Sequence, residues 1–437
     1  MENMPSEEMI YDAIVVGAGP GGCACALFLA RAGRQVLLVD KAAFPREKVC
    51  GDAVSGKSVG VMRELGLLKD LDAPAHGVIK GVLFGSPSGK EVVVPFPNAA
   101  GLDFAGYTLR RKQTDWILFE AAIAEKNITI MQKFNVDSVV KDEAGAICGI
   151  GGIDGMAPQK AEVGERFGAN EEAGASKRTF HSRVVVGADG SGSAISRALG
   201  LPPVPPEHQF MAIRGYWRGV EGLSDNIELY FIDGVLPGYL WVFPMGDGTA
   251  NVGLGILFSD MKKRKEHPNK ILYNAISSYP SLARRFKPSL QEGQIGAWTI
   301  PNGSYKKRNA GSGWVLIGDA ACLVDPFSGE GFGNAVSSGK FAAQTIDEAI
   351  KNNAGSEALK VQVLQAYSDK VDSILRPEME MSYKLQQMSR HRFLLNRFIG
   401  KSATNPKFRQ HIVDMLASDE EKKKAQSPLF LLELLLP

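Results

Sequence analysis

The residues whose types and spacing most directly suggest chemistry are a cysteine inside Lys48-Val49-Cys50-Gly51 and three aromatics at alternate positions, Tyr239, Trp241 and Phe243. A thiol of ordinary acidity keeps its proton at neutral pH and can deliver it to a neighbour. Side chains alternate along a strand with period two, so residues 239, 241 and 243 share one face and form a wall. Each such aromatic buries roughly 150 to 250 Å² when covered, enough together to hold an apolar chain out of water by several kcal/mol. Taken alone, the three aromatics equally suit an ordinary core, and Cys50 equally suits a small residue packing its loop.

A proton donor facing an apolar molecule needs a redox partner, and the sequence supplies a dinucleotide motif. Gly17-Ala18-Gly19-Pro20-Gly21-Gly22 fits G-x-G-x-x-G between a strand at Ala13 to Val16 and a helix at Cys23 to Ala32, with a second strand from Gln35 to Val39 ending at Asp40. Gly17 allows the tight turn, Gly19 lets backbone N–H groups approach a pyrophosphate, and Gly22 lets helix and strand pack closely. Pro20 and Gly21 complete the turn at the helix start, which faces the phosphates. Asp40 can accept hydrogen bonds from an adenosine ribose and would repel a 2′-phosphate, so the nucleotide is FAD or NAD rather than NADP. The motif alone does not separate those two.

Two further segments do. Val185-Val186-Gly187-Ala188-Asp189-Gly190, followed by Ser193 and Arg197, and Gly318-Asp319-Ala320-Ala321 after Trp314, resemble the "DG" and "GD" motifs of the flavoprotein hydroxylase and reductase superfamily. The resemblance implies FAD, with Asp319 hydrogen-bonding the ribityl chain and Asp189, Gly190 and Gly318 beside it. It also implies that Arg111, in Arg111-x-x-Thr114-Asp115, contacts the cofactor from a helix start, although a bulky apolar residue is more usual where Thr114 stands. Lys41 and Lys48 join the expected cofactor-binding residues. Asp325 to Asn334 then leads into a helix, and its Pro326, Gly329, Gly331 and Phe332 let backbone lie against a flat ring. That helix start presents unpaired N–H groups and about half a positive charge. By resemblance it points at the flavin pyrimidine edge, where it favours the reduced, anionic flavin.

Pro45-Arg46-Glu47-Lys48-Val49-Cys50-Gly51 fits P-x-x-K-x-C-G, and Tyr239-x-Trp241-x-Phe243-Pro244 fits Y-x-W-x-F-P, with Gly253-Leu254-Gly255 following. Together with the flavin segments these resemble the geranylgeranyl reductase family over about residues 10 to 340. Asp52 departs from the pattern, where many members have glycine or glutamate. The resemblance implies FAD-dependent saturation of isoprenoid double bonds in a prenyl or lipid substrate, with Cys50 and Gly51 near the flavin and Tyr239, Trp241, Phe243 and Pro244 against the prenyl chain. An isolated trisubstituted alkene has no carbonyl to accept negative charge, so protonation by Cys50 must lead or accompany hydride transfer from flavin N5 to the tertiary carbon. Aromatic faces would stabilise the developing positive charge by roughly 0.5 to 2 kcal/mol. Two other flavoenzyme classes share parts of this pattern. An aromatic monooxygenase shares the three flavin segments but activates oxygen and uses a polar-ended pocket. A flavin-dependent halogenase has a W-x-W-x-I-P resembling Tyr239 to Pro244, but its lysine-bearing segment is unmatched and Ser328-Gly329-Glu330-Gly331 stands at its halide-side loop. A non-enzymatic, FAD-containing lipid-binding module is the remaining class.

These residues have to be positioned by an α/β fold: a Rossmann-type FAD-binding domain, an antiparallel-sheet substrate domain and a helical C-terminal region. The expected FAD-binding parts are residues 1–75, 106–200 and 301–352, the substrate-domain parts are 76–105 and 201–300, and the helical region is 353–437. An amphipathic helix is expected from Arg111 to Lys126, and strand patterns recur at Ile128 to Met131, Val136 to Val140, Arg183 to Val186, Met211 to Trp217, Ile227 to Phe231, Tyr239 to Phe243, Ala250 to Ile256 and Trp314 to Ile317, before a helix from Asn334 to Lys351. Residues 142–178, rich in Gly, Ala, Glu and Lys, have little periodicity and read as an extended, mobile hairpin tip or surface insertion rather than a domain.

At 437 residues the chain has ample core without staples. A formal charge of +2 and no arginine stripe interleaved with aromatics argue against nucleic acid. Five irregularly spaced cysteines suit a reducing, cytoplasmic setting. Cys23 and Cys25 read as core, Cys322 as packing behind the Gly-Asp turn, and the six scattered histidines as no metal site. Met1 to Met9 lacks signal-peptide character, and no apolar run approaches the roughly 20 residues that span a bilayer. Basic Arg390 to Arg397 and apolar Leu429 to Leu436 read first as packed helix and second as peripheral membrane docking. Without a second nucleotide fingerprint the electron donor is open between NAD(P)H and a reduced carrier such as ferredoxin, in which case a donor protein is a partner.

Overall fold

In the computed structural model, which describes residues 5–99, 102–155, 176–353, 355 and 357–417, the apolar run Ala13–Val16 is a strand buried along its whole length. It lies inside a six-stranded sheet of order Ala310–Gly311, Trp314–Leu316, Val185–Gly187, Ala13–Val16, Val36–Asp40 and Ile128–Gln132. All neighbours are parallel except the Ala310–Gly311 edge. Continuous apolar strands are what a sheet covered on both faces requires. The consequence for function is directional. Because Ala13–Val16, Val185–Gly187 and Trp314–Leu316 are adjacent and parallel, Gly17, Asp189 and Asp319 all emerge at one edge, the carboxyl ends where α/β sheets bind ligands.

The helix Pro20–Arg31 follows the first strand and packs against the long helix Phe332–Asn352. The approach is close enough that a Cβ at Gly339 would lie 2.3 Å from the Gly21 carbonyl oxygen. A four-stranded sheet of Ile10–Tyr11, Ser176–Ser182, Ile147–Asp154 and Phe134–Lys141 adjoins this layer, joined by the Ile147 N–H to the Ser312 carbonyl at 3.0 Å. Strands run further into residues 142–178 than expected, and they pair with each other as an antiparallel hairpin. Ile147–Asp154 is a paired central strand, and Ser176 begins another. Its periodicity is hidden because Gly149 and Gly152 replace side chains where a Cβ would lie 2.2 Å from the Phe180 oxygen and 2.6 Å from the Asn135 oxygen. Residues 156–175 lie outside the described residues, as does Leu429 to Leu436.

The second layer is a seven-stranded sheet of order Leu290–Pro301, Gln209–Arg218, Thr249–Leu257, Tyr239–Pro244, Asn226–Tyr230, Gly81–Gly85 and Glu91–Pro95. Its pairs are antiparallel apart from Asn226–Tyr230 with Gly81–Gly85. Alternation divides the strand Tyr239–Pro244 as its pattern requires. Leu240 and Val242 enter the core shared with Leu272 and Leu282 of the covering helices, while Trp241 and Phe243 form a separate cluster on the opposite face. At the far edge, Leu395, Ile399, Phe408 and Ile412 of the helices Arg392–Thr404 and Pro406–Ala417 cover Val82, Val92 and Val94. A small three-stranded sheet of Ala53–Val54, Gly106–Thr108 and Gly77–Ile79 joins the two layers.

A Cβ at Gly22 would lie 1.8 Å from the Gly17 carbonyl oxygen. Gly22→Ala is therefore expected to destabilise the apoprotein by about 1 to 3 kcal/mol or more, the cost of overpacking against rigid backbone. Superimposable urea denaturation curves for parent and variant would show that this turn is not packed as described.

Candidate active site

Gly17 has φ +103, and a Cβ there would meet the Ala188 carbonyl oxygen at 2.4 Å, so the first turn belongs to glycine. The helix behind it starts at Gly19 and Pro20 with no side-chain cap, leaving its terminus for an anion. Gly19 faces open space, with Arg46 Nη2 the nearest atom to a built Cβ at 3.7 Å. The Asp40 carboxylate accepts the Ala18 N–H and the Ala42 N–H, each at 2.8 Å, so it shapes the turn and keeps a second lone pair on each oxygen. Asp189 Oδ2 accepts the Ile195 N–H at 3.1 Å, while its buried Oδ1 has no protein partner. Burial pushes the Asp189 carboxyl above the usual range. Asp319 lies 3.7 Å from Lys48 Nζ, and burial lowers that ammonium from its ordinary value.

Lys41, Gly190, Gly318, Pro326, Gly329, Gly331 and Phe332 line the same cavity as these groups. A second helix terminus opens on it at Gly331, which has no side chain to cap it. It is less open than the sequence implied, because the Gly333 N–H is taken by Glu330 Oε1 at 2.6 Å. Burial pushes the Glu330 carboxyl up. An FAD fits this donor set: an uncapped helix start for the pyrophosphate, and Asp40, the orphaned Asp189 oxygen and Asp319 for hydroxyl donors. The cavity volume of about 3810 Å³ exceeds the roughly 300 to 1,000 Å³ of an ordinary small-molecule site, leaving room for a second long molecule. Among the described residues no group of His, Cys, Asp or Glu is placed to hold a metal.

Cys50 sits on the segment between Val36–Asp40 and Ala53–Val54, and two side chains of the antiparallel sheet hold that segment in place. Arg214 donates to the Cys50 carbonyl at 3.1 Å and the Lys48 carbonyl at 3.0 Å. Asn251 Nδ2 donates to the Cys50 carbonyl at 2.8 Å and to Asp52 Oδ2 at 2.7 Å. Asp52 is buried and has φ +67. Its Oδ1 accepts the Arg111 N–H at 3.1 Å and its Oδ2 the Tyr216 hydroxyl at 2.5 Å. Burial raises the Asp52 carboxyl, against the pull of the Arg214 charge and the Tyr216 and Asn251 hydrogen bonds. Arg111 Nε pairs with Asp115 at 2.5 Å while Nη1 reaches Cys50 Sγ at 3.5 Å.

Tyr239, Trp241 and Phe243 run along one wall with ring centroids 6.4 and 6.3 Å apart. Trp241 does more than line it, because its indole N–H donates to Asn251 Oδ1 at 2.8 Å. A Cβ on Gly51 would touch the Phe243 ring at 3.3 Å, so the aromatic strand packs directly on the cysteine loop. The Tyr239 hydroxyl donates to the Ser328 carbonyl at 2.5 Å, joining the wall to the glycine-rich loop. Beyond Tyr239 the apolar lining continues through Phe231 and Phe327, stacked at 6.0 Å, to Phe84, Leu395 and Phe398.

Two expected site residues do not line the cavity. Gly22 serves packing alone, and Pro244 ends its strand with its carbonyl oxygen accepting the Thr108 hydroxyl. Cys23, Cys25 and Cys322 are fully buried, and burial pushes the Cys322 thiol up to about 11. Sequence reasoning missed Asp52 as a working residue, together with Arg214, Tyr216 and Asn251. Arg214 and Tyr216 share one face of Gln209–Arg218 by period two, a signal that identifies a strand face without saying what it meets.

Residues 10–370 match the FAD-binding domain family. The chain is 32% identical over 344 residues to menaquinone reductase of Mycobacterium tuberculosis, covering 77% of this chain and 76% of that one. It is 31% identical over 360 residues to digeranylgeranylglycerophospholipid reductase of Thermoplasma acidophilum, covering 82% of each. A crystal structure of a geranylgeranyl bacteriochlorophyll reductase-like protein from Thermoplasma acidophilum superimposes with a TM-score of 0.76 at 25% identity, over 97% of this chain and 99% of that one.

Asp319→Ala is expected to weaken FAD binding about 10- to 100-fold, the worth of one hydrogen bond to a charged group. Fluorescence titration of the apoprotein measures this, and an unchanged Kd would remove Asp319 from the cofactor site.

Proposed function

The chain belongs to the geranylgeranyl reductase family of FAD-dependent oxidoreductases, and from that membership we propose that it saturates carbon–carbon double bonds in the polyprenyl tail of a lipid. One observation carries this reading: the Cys50 thiol opens on the same cavity as the Asp319 and Gly331 cradle and the Tyr239, Trp241 and Phe243 wall. Bound FAD, once reduced, supplies the hydride. The residues of the chain supply the rest. Cys50 holds a proton on Sγ for one alkene carbon, and the aromatic faces of Trp241 and Phe243 stabilise positive charge at the other. The apolar lining from Phe231 to Phe398 excludes water and takes the remainder of the tail.

The curated relatives named above act, by their names, on a menaquinone and on a digeranylgeranyl glycerophospholipid. What those molecules share is an isoprenoid chain, and their head groups differ entirely. A cavity that reads the tail suits both. An aromatic monooxygenase would place a polar end opposite the ring, whereas here the wall and its continuation are apolar.

No helix among the described residues is long and apolar enough to cross a membrane. A polyprenyl lipid is carried in a bilayer, and on the proposed reading it is drawn from there at the protein surface. Exposed Phe393 at the start of Arg392–Thr404 suits peripheral contact through its apolar ring, the neighbouring Arg392 and Arg390 being paired with Asp233 and Asp260. The electron donor enters as NAD(P)H or a reduced carrier.

Photoreduction makes the test independent of that donor. Anaerobic single turnover with a polyprenyl lipid is expected to oxidise the flavin and to add two mass units to the lipid. Cys50→Ala should slow this reoxidation by about 10²-fold or more, the range of a lost general acid. A rate equal to the parent's removes Cys50 as proton donor, and an oxygenated or halogenated product in air with no saturation of the lipid would overturn the reductase reading.

A further inference from the structure

We infer that Arg111 and the backbone N–H of Asp52 together hold the thiolate that Cys50 becomes on giving up its proton, with Asp52 as the positioning residue that keeps both donors on the sulfur. The inference rests on the reading of Cys50 as proton donor. Two C–H bonds form in the reaction. One takes its proton from Cys50 S–H, whose electron pair stays on sulfur, and the other takes hydride from reduced FAD, which is oxidised by two electrons. Water reaching the cavity between turnovers returns the proton to sulfur.

A bare thiolate against an apolar wall is costly unless donors meet it. Here two do. The Asp52 N–H lies 3.4 Å from Cys50 Sγ and Arg111 Nη1 lies 3.5 Å from it. Neither arrangement is accidental in the fold. The Cys50-Gly51-Asp52 turn presents that N–H to the side chain two residues earlier, and Asp52 itself continues it with a left-handed φ of +67, a conformation that Asp and Asn tolerate better than most residues. The turn is fixed on every side: the Asp52 carbonyl accepts the Leu109 N–H at 2.9 Å, and its carboxyl accepts from Tyr216, Asn251 and the Arg111 backbone.

The same carboxyl therefore anchors the start of the helix Arg111–Ala124, from which the guanidinium reaches the sulfur. Asp115 holds the other side of that guanidinium at 2.5 Å, and the Phe332 ring lies 5.7 Å from its carbon. Arg111 thus bridges the thiol and the glycine-rich loop. The departure at Asp52 from the glycine or glutamate of the family pattern acquires a purpose. Glycine would allow the turn but lose the clamp, and glutamate would place its carboxyl one methylene further out.

The test is the rate at which iodoacetamide alkylates Cys50 in the full chain, followed by peptide mass spectrometry, near neutral pH and again at alkaline pH. Alkylation consumes the thiolate, so losing one charged donor should slow it about tenfold near neutrality in Arg111→Met. The deficit should close at alkaline pH, where thiolate forms without help. Arg111→Lys should retain most of the parent rate, and Asp52→Gly, which accommodates the turn, should fall between the two. A change by the same factor at both pH values would mean altered exposure alone and would sink the inference, as would no change. If Arg111→Met does not fold, Asp52→Gly decides by the same two-pH comparison. The readout does not involve prenyl reduction. Should Cys50→Ala reoxidise at the parent rate while Arg111→Met shows the pH-dependent deficit, the proton-donor reading fails and the thiolate pair stands.

Discussion

Everything in the site depends on the Cys50 carbonyl being held from across the domain boundary. It accepts hydrogen bonds from Arg214 and Asn251, residues of the antiparallel sheet, although its own segment leaves the dinucleotide-binding sheet at Asp40. Those two bonds register one layer on the other. With the Tyr216 bond to Asp52 and the Tyr239 bond to Ser328, they set the distance from the wall carrying Trp241 and Phe243 to the edge where Gly17, Asp189 and Asp319 emerge. Trp241 completes the link by donating to Asn251, so the residue that walls the cavity also locates the thiol.

The polar groups that do this work are buried at a cost. Burial raises the carboxyls of Asp52, Asp189, Asp325 and Glu330 above their ordinary values. An acid whose folded value is raised contributes stability that is complete below the ordinary carboxylate range and is lost as pH rises through the raised value. At neutral pH these four therefore oppose folding rather than favour it. Their hydrogen bonds from Tyr216, Asn251, Ile195, Ser328 and Gly333 offset part of the penalty. Carboxyls retained against stability, lining one cavity, are the pattern expected where function sets the residue.

How much of this was legible follows from what each signal needs. The turn at Gly17, the helix behind it (expected from Cys23, observed from Pro20) and the strand expected at Tyr239 to Phe243 were readable because local periodicity and backbone geometry dictate them, and their neighbours in sequence are their neighbours in space. The Asp52 cluster was not. It gathers residues from Gln209–Arg218, Thr249–Leu257 and the start of Arg111–Ala124 around one turn, and no spacing rule connects strands so far apart in sequence. Ile147–Asp154 failed for the opposite reason. Its signal is local, but close packing removed the side chains that carry it, at Gly149 and Gly152.

Joining wall and thiol through one tryptophan has a consequence for selectivity. The proposed chemistry requires an alkene carbon beside Cys50 Sγ and aromatic faces beside the carbon that becomes positive, and the thiol segment and Trp241 are fixed to each other through Asn251. Nothing in that arrangement touches a head group. On the proposed function, which double bond reaches the thiol is set by how far the tail advances along the apolar lining that runs from Phe231 to Leu395 and Phe398. The proposed function thereby accommodates relatives named for lipids with unlike heads, because what those lipids have in common is the isoprenoid chain.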